Sequence, residues 1–277
     1  EANIKAHVHC VIVAFSVAVN DRPKQLFASD RAQNVSNINA YLVDGPAVFI
    51  DSRSKPLCAV PAMTTGNRPA DGGHLIIEAR QEKRPNPMYE EGSKDWRKSR
   101  EFIECTSSSV TTRGKQEFQY GRFEVRARIP VAKGAWPAIW TLGNSLPWPS
   151  CGEIDIMEHL NHDRFVYQTV HTGYTMVSAN RYDPVSHVKV NIDPSEYNVY
   201  GVEIHEDCII FLLNGKETLR YPRLESGEHS GNTQFPFCTP YYILMDMQIG
   251  GSWVGDAVGT DLPVSMYIDW IKVYERL

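Results

Sequence analysis

The sequence predicts an all-β chain folded as an antiparallel β-sandwich of the jelly-roll kind. Three observations predict it. Short apolar runs punctuated by Gly and Pro recur from about Leu75 onward. One of them alternates strictly between apolar and charged residues, and no stretch of comparable length carries a helical period. A length of 277 residues suits one such domain. Residues 1–277 are therefore read as a single domain whose first 74 residues are the least regular part.

The elements follow in order. Leu75, Ile76 and Ile77 form a short strand-like run, and Lys83 to Arg100 is polar and contains Pro, as a surface loop would. Gly121 to Ile129 alternates, with Phe123, Val125, Ala127 and Ile129 on one face and Arg122, Glu124, Arg126 and Arg128 on the other, the pattern of a strand with one face on the core. Tyr200, Val202 and Ile204 lead into Ile209 to Leu213, which ends at Asn214-Gly215 before Lys216 to Tyr221. Asn-Gly is the preferred type I′ turn, so this is a hairpin. Tyr241 to Ile249 and Met266 to Tyr274 are β-rich runs separated by Gly250, Gly251, Gly255, Gly259 and Pro263.

Composition excludes several classes. With 22% charged and 42% hydrophobic residues the chain is ordinary globular material rather than disordered or collagenous. The net charge of -5, with no long Lys/Arg run, argues against nucleic acid and anionic membrane as partners. The apolar run Val8 to Val19 is too short to span a bilayer and reads as a buried strand rather than a signal-peptide core. Six scattered cysteines without a CxxC pair do not decide the redox compartment. A neutral, hydroxyl-rich partner fits best.

The informative segment is Gly152-Glu153-Ile154-Asp155-Ile156-Met157-Glu158. Acids at period two ordinarily mark the solvent face of a strand. Here a regular strand would put Glu153 and Asp155 on one face but turn Glu158 into the core with Ile154 and Ile156, which is costly for a carboxylate. A β-bulge near Ile156 or Met157 returns Glu158 to the face of the other two. Three clustered carboxyls cannot all ionise comfortably, so at least one keeps a proton near neutral pH. An ionised nucleophile beside a protonated acid is what a retaining glycosidase needs, with its two carboxyl groups expected about 5 to 6 Å apart.

Trp136-Pro137-Ala138-Ile139-Trp140 followed by Trp148 through Glu158 resembles the signature of glycoside hydrolase family 16, in its bulge-containing, laminarinase-like branch. The resemblance extends through Tyr120 to Glu124, Gly250 to Gly255 and Met266 to Trp270, and so covers about residues 99–277. It implies a concanavalin A-like jelly roll with a concave substrate cleft. It also implies Glu153 as nucleophile, Asp155 as its helper and Glu158 as acid/base. The aromatic-acidic opening strand and the Asn/Glu/Gln-rich stretch usual in the family are missing from residues 1–72.

The same resemblance places Trp136, Trp140, Trp148 and Trp253 among candidate sugar-binding residues, since the apolar face of a pyranose packs on a flat ring. Trp270 is left to the core and Trp96 to the surface. His171 and Gln248 are polar cleft candidates, with Asp246 beside Gln248, and structural roles for these positions stay open. His159 and His162 have metal-like spacing, but on a strand they would face opposite ways without a third ligand, so no metal is assigned. No cofactor is required. The resemblance allows a structural calcium drawing on the position of Asp269. The expected activity is retaining, endo-acting hydrolysis of a β-1,3- or mixed-linkage β-glucan. A β-galactoside substrate (galactan or mucin-type glycan) and a non-catalytic carbohydrate-binding jelly roll are the alternatives. A polymeric glycan as partner implies a secreted, periplasmic or cell-surface enzyme, and a monomer without membrane insertion is expected.

Overall fold

The computed structural model describes residues 24–28, 31–35, 67–69, 74–95, 97–226, 230–257 and 261–274. Val8 to Val19, Trp96, Cys10 and Cys58 lie outside the described residues. The chain divides into two units, residues 1–62 and 63–277. In the first, β1 (Lys24–Ala28) and β2 (Arg31–Val35) pair antiparallel, Ala28 opposite Arg31.

The second unit is built almost wholly of strands. In chain order these are β3 (Asn67–Pro69), β4 (Leu75–Pro85), β5 (Phe102–Thr106), β6 (Ser109–Thr111), β7 (Gly121–Arg128) and β8 (Ala135–Gly143). They continue as β9 (Glu153–Glu158), β10 (Phe165–His171), β11 (His187–Asn191), β12 (Asn198–Ile204) and β13 (Cys208–Leu213). The last are β14 (Lys216–Pro222), β15 (Tyr241–Ile249) and β16 (Val264–Tyr274). One sheet runs β11-β10-β9-β8-β15-β6. The other runs β14-β13-β12-β7-β16-β4-β3, with β5 on β4. Every pairing is antiparallel.

The inner faces of the two sheets make the core. Phe123, Val125, Tyr200, Val202 and Phe211 from one sheet and Ile139, Ile154, Val166, Val170 and Met245 from the other are all buried in one cluster. Each large apolar side chain so placed contributes about 1.5 to 3 kcal/mol relative to exposure. Two antiparallel sheets joined across one apolar layer are the sandwich that the alternating runs predict. The β13–β14 hairpin turns through Asn214 and Gly215, both at positive φ (50° and 76°), as a type I′ turn requires.

Three expectations need correction. The strand beginning at Leu75 runs to Pro85, so the polar loop starts only at Asn86. Its charged second half is held by pairing with β5 and by ion pairs of Arg80 with Glu78 and Arg84 with Glu82, none of which leaves an apolar trace. Trp270 is not a core residue. A register shift at Asp269 sets Trp270 opposite Arg126 on the outer face, where Lys272 Nζ lies 4.3 Å from its ring. His159 and His162 follow the end of β9 rather than lying on a strand. Among the described residues, Cys105, Cys151, Cys208 and Cys238 are free, and no helix is long and apolar enough to cross a membrane.

Candidate active site

The site is the outer face of the first sheet, and the irregularity in β9 makes it. Against β8, Trp140 pairs with Asp155 and Ile139 with Met157. Against β10, Thr169 pairs with Asp155 and Tyr167 with Glu158. One extra residue is therefore inserted at Ile156–Met157, where the bulge was expected. Both side chains of the bulge enter the core, fully buried. Directly paired residues share a face, so Leu142, Trp140 and Ala138 on β8 and His171, Thr169 and Tyr167 on β10 look out beside Glu153, Asp155 and Glu158. Asp246 and Gln248, opposite Ala138 and Trp136 on β15, join the same face.

Gln168 sits opposite the bulge and points inward, fully buried. Its Nε2 donates to Ile156 O at 3.1 Å and Leu212 O at 3.3 Å, and its Oε1 accepts from Thr218 Oγ1 at 2.5 Å. A bulge disrupts the local ladder, and a buried carbonyl without a partner costs about 1 to 3 kcal/mol. The Gln168 amide satisfies the Ile156 carbonyl and ties the bulge to the opposite sheet. At the other end of β9, Gly152 has φ of 78°, and its Cα packs against the Tyr241 hydroxyl, which donates to Cys151 O at 2.5 Å. A Cβ there would collide with that hydroxyl, so glycine fixes the entry to Glu153.

Three indole N–H groups are aimed at carboxylates. Trp148 Nε1 donates to Glu153 Oε2 at 2.7 Å, Trp136 Nε1 to Glu158 Oε1 at 3.0 Å, and Trp140 Nε1 to Asp246 Oδ2 at 3.2 Å. Ser109 Oγ also donates to Asp246 Oδ2 at 3.3 Å. His171 Nε2 lies 3.2 Å from Asp155 Oδ2. Trp136, Ala138, Trp140, Glu153, Asp155, Glu158 and Gln248 together line a hollow of about 130 Å³. Trp253 flanks it, its ring 5.0 Å from those of both Trp136 and Tyr167 and nearly half exposed.

The electrostatics follow from this crowding. Burial, with the Asp155 charge next, raises Glu153 above the usual carboxylate range, against the opposing effects of His171 and Trp148. Burial raises Asp155 as well, and Asp246 adds to the rise while a hydrogen bond with Glu153 opposes it. Glu158 is pushed up to about 8 by burial and then by Asp155, despite the Trp136 hydrogen bond. Burial holds His171 below the ordinary imidazole value. The site thus retains protons near neutral pH, as three stacked acids should.

All nine sequence-chosen residues fall on or beside this face: Glu153, Asp155, Glu158, Trp136, Trp140, Trp148, His171, Gln248 and Trp253. What the motif did not give is Tyr167, Thr169 and Lys189, which counting back in twos from His171 and across the ladder would have found. Among the described residues, Glu153, Asp155 and His171 bring one potential ligand atom each within 4.8 Å of one another, a donor set able to accept a cation. His159 and His162 do not converge. His159 Nε2 meets Asp163 O at 2.7 Å, and His162 Nε2 lies 3.7 Å from Asp261. Asp269 does not suit a calcium ion, because Arg126 pairs with it and His74 Nε2 lies 3.6 Å away.

The match to known proteins is extensive. Residues 70–272 match the family described as Glycosyl hydrolases family 16. The chain belongs to that family. It is 35% identical over 220 residues to a beta-glucanase of Rhodothermus marinus, covering 75% of this chain and 70% of that protein. It is also 35% identical over 173 residues to a keratan-sulfate endo-1,4-beta-galactosidase of Sphingobacterium multivorum. That match covers 61% of this chain but only 40% of the relative's length. Among solved structures, the laminarinase catalytic domain of Thermotoga maritima MSB8 superposes with a TM-score of 0.64 at 32% identity, covering 78% of this chain and 82% of that one. A chain solved in work on endo-acting O-glycanases that initiate mucin breakdown gives 0.65 at 33% identity, covering 75% and 77%. The family-16 jelly roll is thus the fold, and the bulged carboxylate strand lies inside the matched region.

Proposed function

We propose that this chain is a retaining, endo-acting β-glycosidase that hydrolyses a β-linked polysaccharide, with β-1,3- or mixed-linkage β-glucan as the first substrate class. The observation that carries the reading is the bulge at Ile156–Met157, which gathers Glu153, Asp155 and Glu158 on one open face. One proton shared between Glu153 and Asp155 serves both groups. When it rests on Asp155, Glu153 is an anion held by the Trp148 N–H and free to attack the anomeric carbon. Glu158, its proton retained by burial, gives that proton to the leaving glycosidic oxygen as the C–O bond breaks. It then takes a proton from the water that attacks the glycosyl ester and releases Glu153. The neutral His171 ring lies beside Asp155, with Nε2 3.2 Å from Oδ2, and helps to fix that carboxyl in place.

The aromatic rim of Trp136, Trp253 and Tyr167 supports binding of sugar rings, and Gln248 supports contacts with their hydroxyls. Trp140 and Trp148 flank the same hollow. The similarity to a beta-glucanase and to a laminarinase domain supports the glucan reading. A β-galactoside substrate is the second reading, favoured by the similarity to a keratan-sulfate endo-β-galactosidase and to the O-glycanase structure. A polymeric substrate supports a secreted or cell-surface location. Release of reducing ends from laminarin, barley β-glucan, agarose-type galactan and mucin O-glycans tests the proposal. Cleavage of laminarin or barley glucan is the expected result, cleavage of the galactose-containing glycans alone would transfer the assignment, and release from none would defeat it.

A further inference from the structure

Part of the aromatic rim stands on a loop that cannot hold its own shape. After β15 the chain turns through Gly250, Gly251 and Gly255, all at positive φ (76°, 125° and 74°), and Gly255 N donates to Gly251 O at 2.7 Å to close one turn. Glycines leave such a turn many alternative conformations. Trp253 rides on it with 45% of its surface exposed, meeting the sheet through ring contacts with Trp136 and Tyr167. The next residue, Val254, is buried. Its carbonyl stands at the end of the turn, where backbone acceptors have no partner within the turn itself.

Lys133, in the connection between β7 and β8, meets that carbonyl. Its Nζ donates to Val254 O at 2.9 Å, and its backbone N–H donates to Asp261 Oδ2 at 3.0 Å, so one residue holds the loop at the turn and again just before β16. A hydrogen bond from an ammonium is among the stronger single contacts available to a loop. Beside it, Gly134 O accepts from Gly250 N at 2.8 Å, and a Cβ on Gly134 would stand 2.5 Å from Ala257 Cα. The segment carrying Lys133 is itself fixed, because Ala132 N donates to Asn161 O at 3.1 Å and Gly134 N to Asn161 Oδ1 at 2.7 Å. Asn161 follows the end of β9, the strand of Glu158. Through Lys133 and Asn161, the loop of Trp253 is thus referenced to the strand that carries the acid/base.

We infer that Lys133 is a positioning residue for Trp253, holding the indole where it stacks on a sugar unit away from the bond that is cleaved. The inference rests on the reading of this face as a glycan cleft and adds the residue that sets one of its platforms. Lys133 does not line the hollow between the carboxylates and acts only through the turn. Without its ammonium the Val254 carbonyl loses its donor, the three glycines let the turn rearrange, and the indole takes several orientations. The loss falls on binding rather than on the chemical step, because Glu153 and Glu158 keep their own contacts with Trp148 and Trp136.

Two readouts on the whole chain test this, and the first needs no substrate. With 5-fluorotryptophan incorporated throughout, the fluorine NMR line of Trp253 is identified by its loss in Trp253→Phe. In Lys133→Met that line is expected to broaden or move toward the position of a free indole while the lines of Trp140 and Trp148 stay, and Lys133→Arg, which keeps a donor, is expected to restore it. Lys133→Gln, polar but too short to reach Val254 O, gives the same comparison where the Met variant does not fold. An unchanged Trp253 line in a folded variant without the ammonium, or equal changes in all the tryptophan lines, would overturn the inference.

The second readout is turnover of laminarin. Trp253→Ala and Lys133→Met are each expected to raise KM about threefold to tenfold with kcat within about twofold, and the double variant to match Trp253→Ala alone, since a positioning residue then has nothing left to place. Multiplied effects in the double variant, or an unchanged KM in Lys133→Met, would overturn the inference. Laminarin left uncleaved by the native chain defeats the glucan reading instead, and the fluorine line then decides for or against Lys133 by itself.

Discussion

Strands β7 and β9 carry nearly the same pattern and use it in opposite ways. Both alternate charged and apolar residues, and in both the apolar set enters the same core. On β7 the outward acid Glu124 is paired with Arg122, which also reaches Glu203 at 3.1 Å, so its charge is matched on the spot. On β9 the outward acids stand beside one another, Asp155 and Glu158 buried and Glu153 half-buried, met by indole N–H groups and a neutral imidazole rather than by cations. Alternation tells which face a side chain takes. Whether that face is a solvated surface or a reactive site depends on what the neighbouring strands place there.

The difference is broken most strongly at the carboxylates. Glu153→Gln or Glu158→Gln is expected to reduce turnover by about 10²- to 10⁴-fold, because each removes one chemical role and little packing. Glu124→Gln on β7 should leave turnover near its native value while lowering stability through the lost pair with Arg122. Steady-state kinetics and denaturant titration of the three variants check this. Equal losses at all three positions would mean that the two strands do not differ in the way described.

The bulge is the next place to press. Gln168→Leu leaves the Ile156 carbonyl without its side-chain donor, and should cost about 1 to 3 kcal/mol and lower turnover more than it changes the Michaelis constant. Urea unfolding alongside kinetics gives both numbers. A stability loss with full turnover would show that Gln168 supports the core but not the placement of Glu158.

Protonation sharpens the contrast. Glu158 rises from its ordinary 4.5 to about 8 in the folded chain, so between those values the native state holds a proton that the unfolded chain has released. Stability therefore declines as pH rises through that window, and turnover declines on its alkaline side as the acid is lost. Thermal unfolding as a function of pH should show this slope, and Glu158→Gln should reduce it. The smallest effect is expected at the rim. Trp253→Ala should raise the Michaelis constant several-fold with little change in turnover, as lost stacking at a distance from the reacting bond would do. An equal loss in turnover would place that ring at the reacting sugar.

Much of this was legible in the residues themselves. The period-two pattern of Gly121 to Ile129, the Asn214-Gly215 turn and the conflict of Glu158 with a regular strand each point to what the fold contains, because each involves burial or a backbone conformation that few residues accept. The misses share a cause. The outward turn of Trp270 depends on a register shift at Asp269, and a bulge displaces the pattern by one without marking the sequence. The second half of β4 is held by ladder bonds and ion pairs that an apolar count does not register. Gln168 read only as one polar residue among apolar neighbours, since its value lies in facing a carbonyl that becomes free only when the bulge forms. The indole–carboxylate pairs join residues on different strands and loops, and required the register before they could be seen.

The central claim is that the bulge assembles a nucleophile and an acid/base for double displacement. Proton NMR of the products, recorded as a cleaved β-glycan first releases its new reducing ends, tests it most directly. The account predicts that the β-anomer is released first and converts to the α-anomer only by slow mutarotation. Initial release of the α-anomer would mean direct attack by water, and would contradict the assignment of Glu153 as nucleophile.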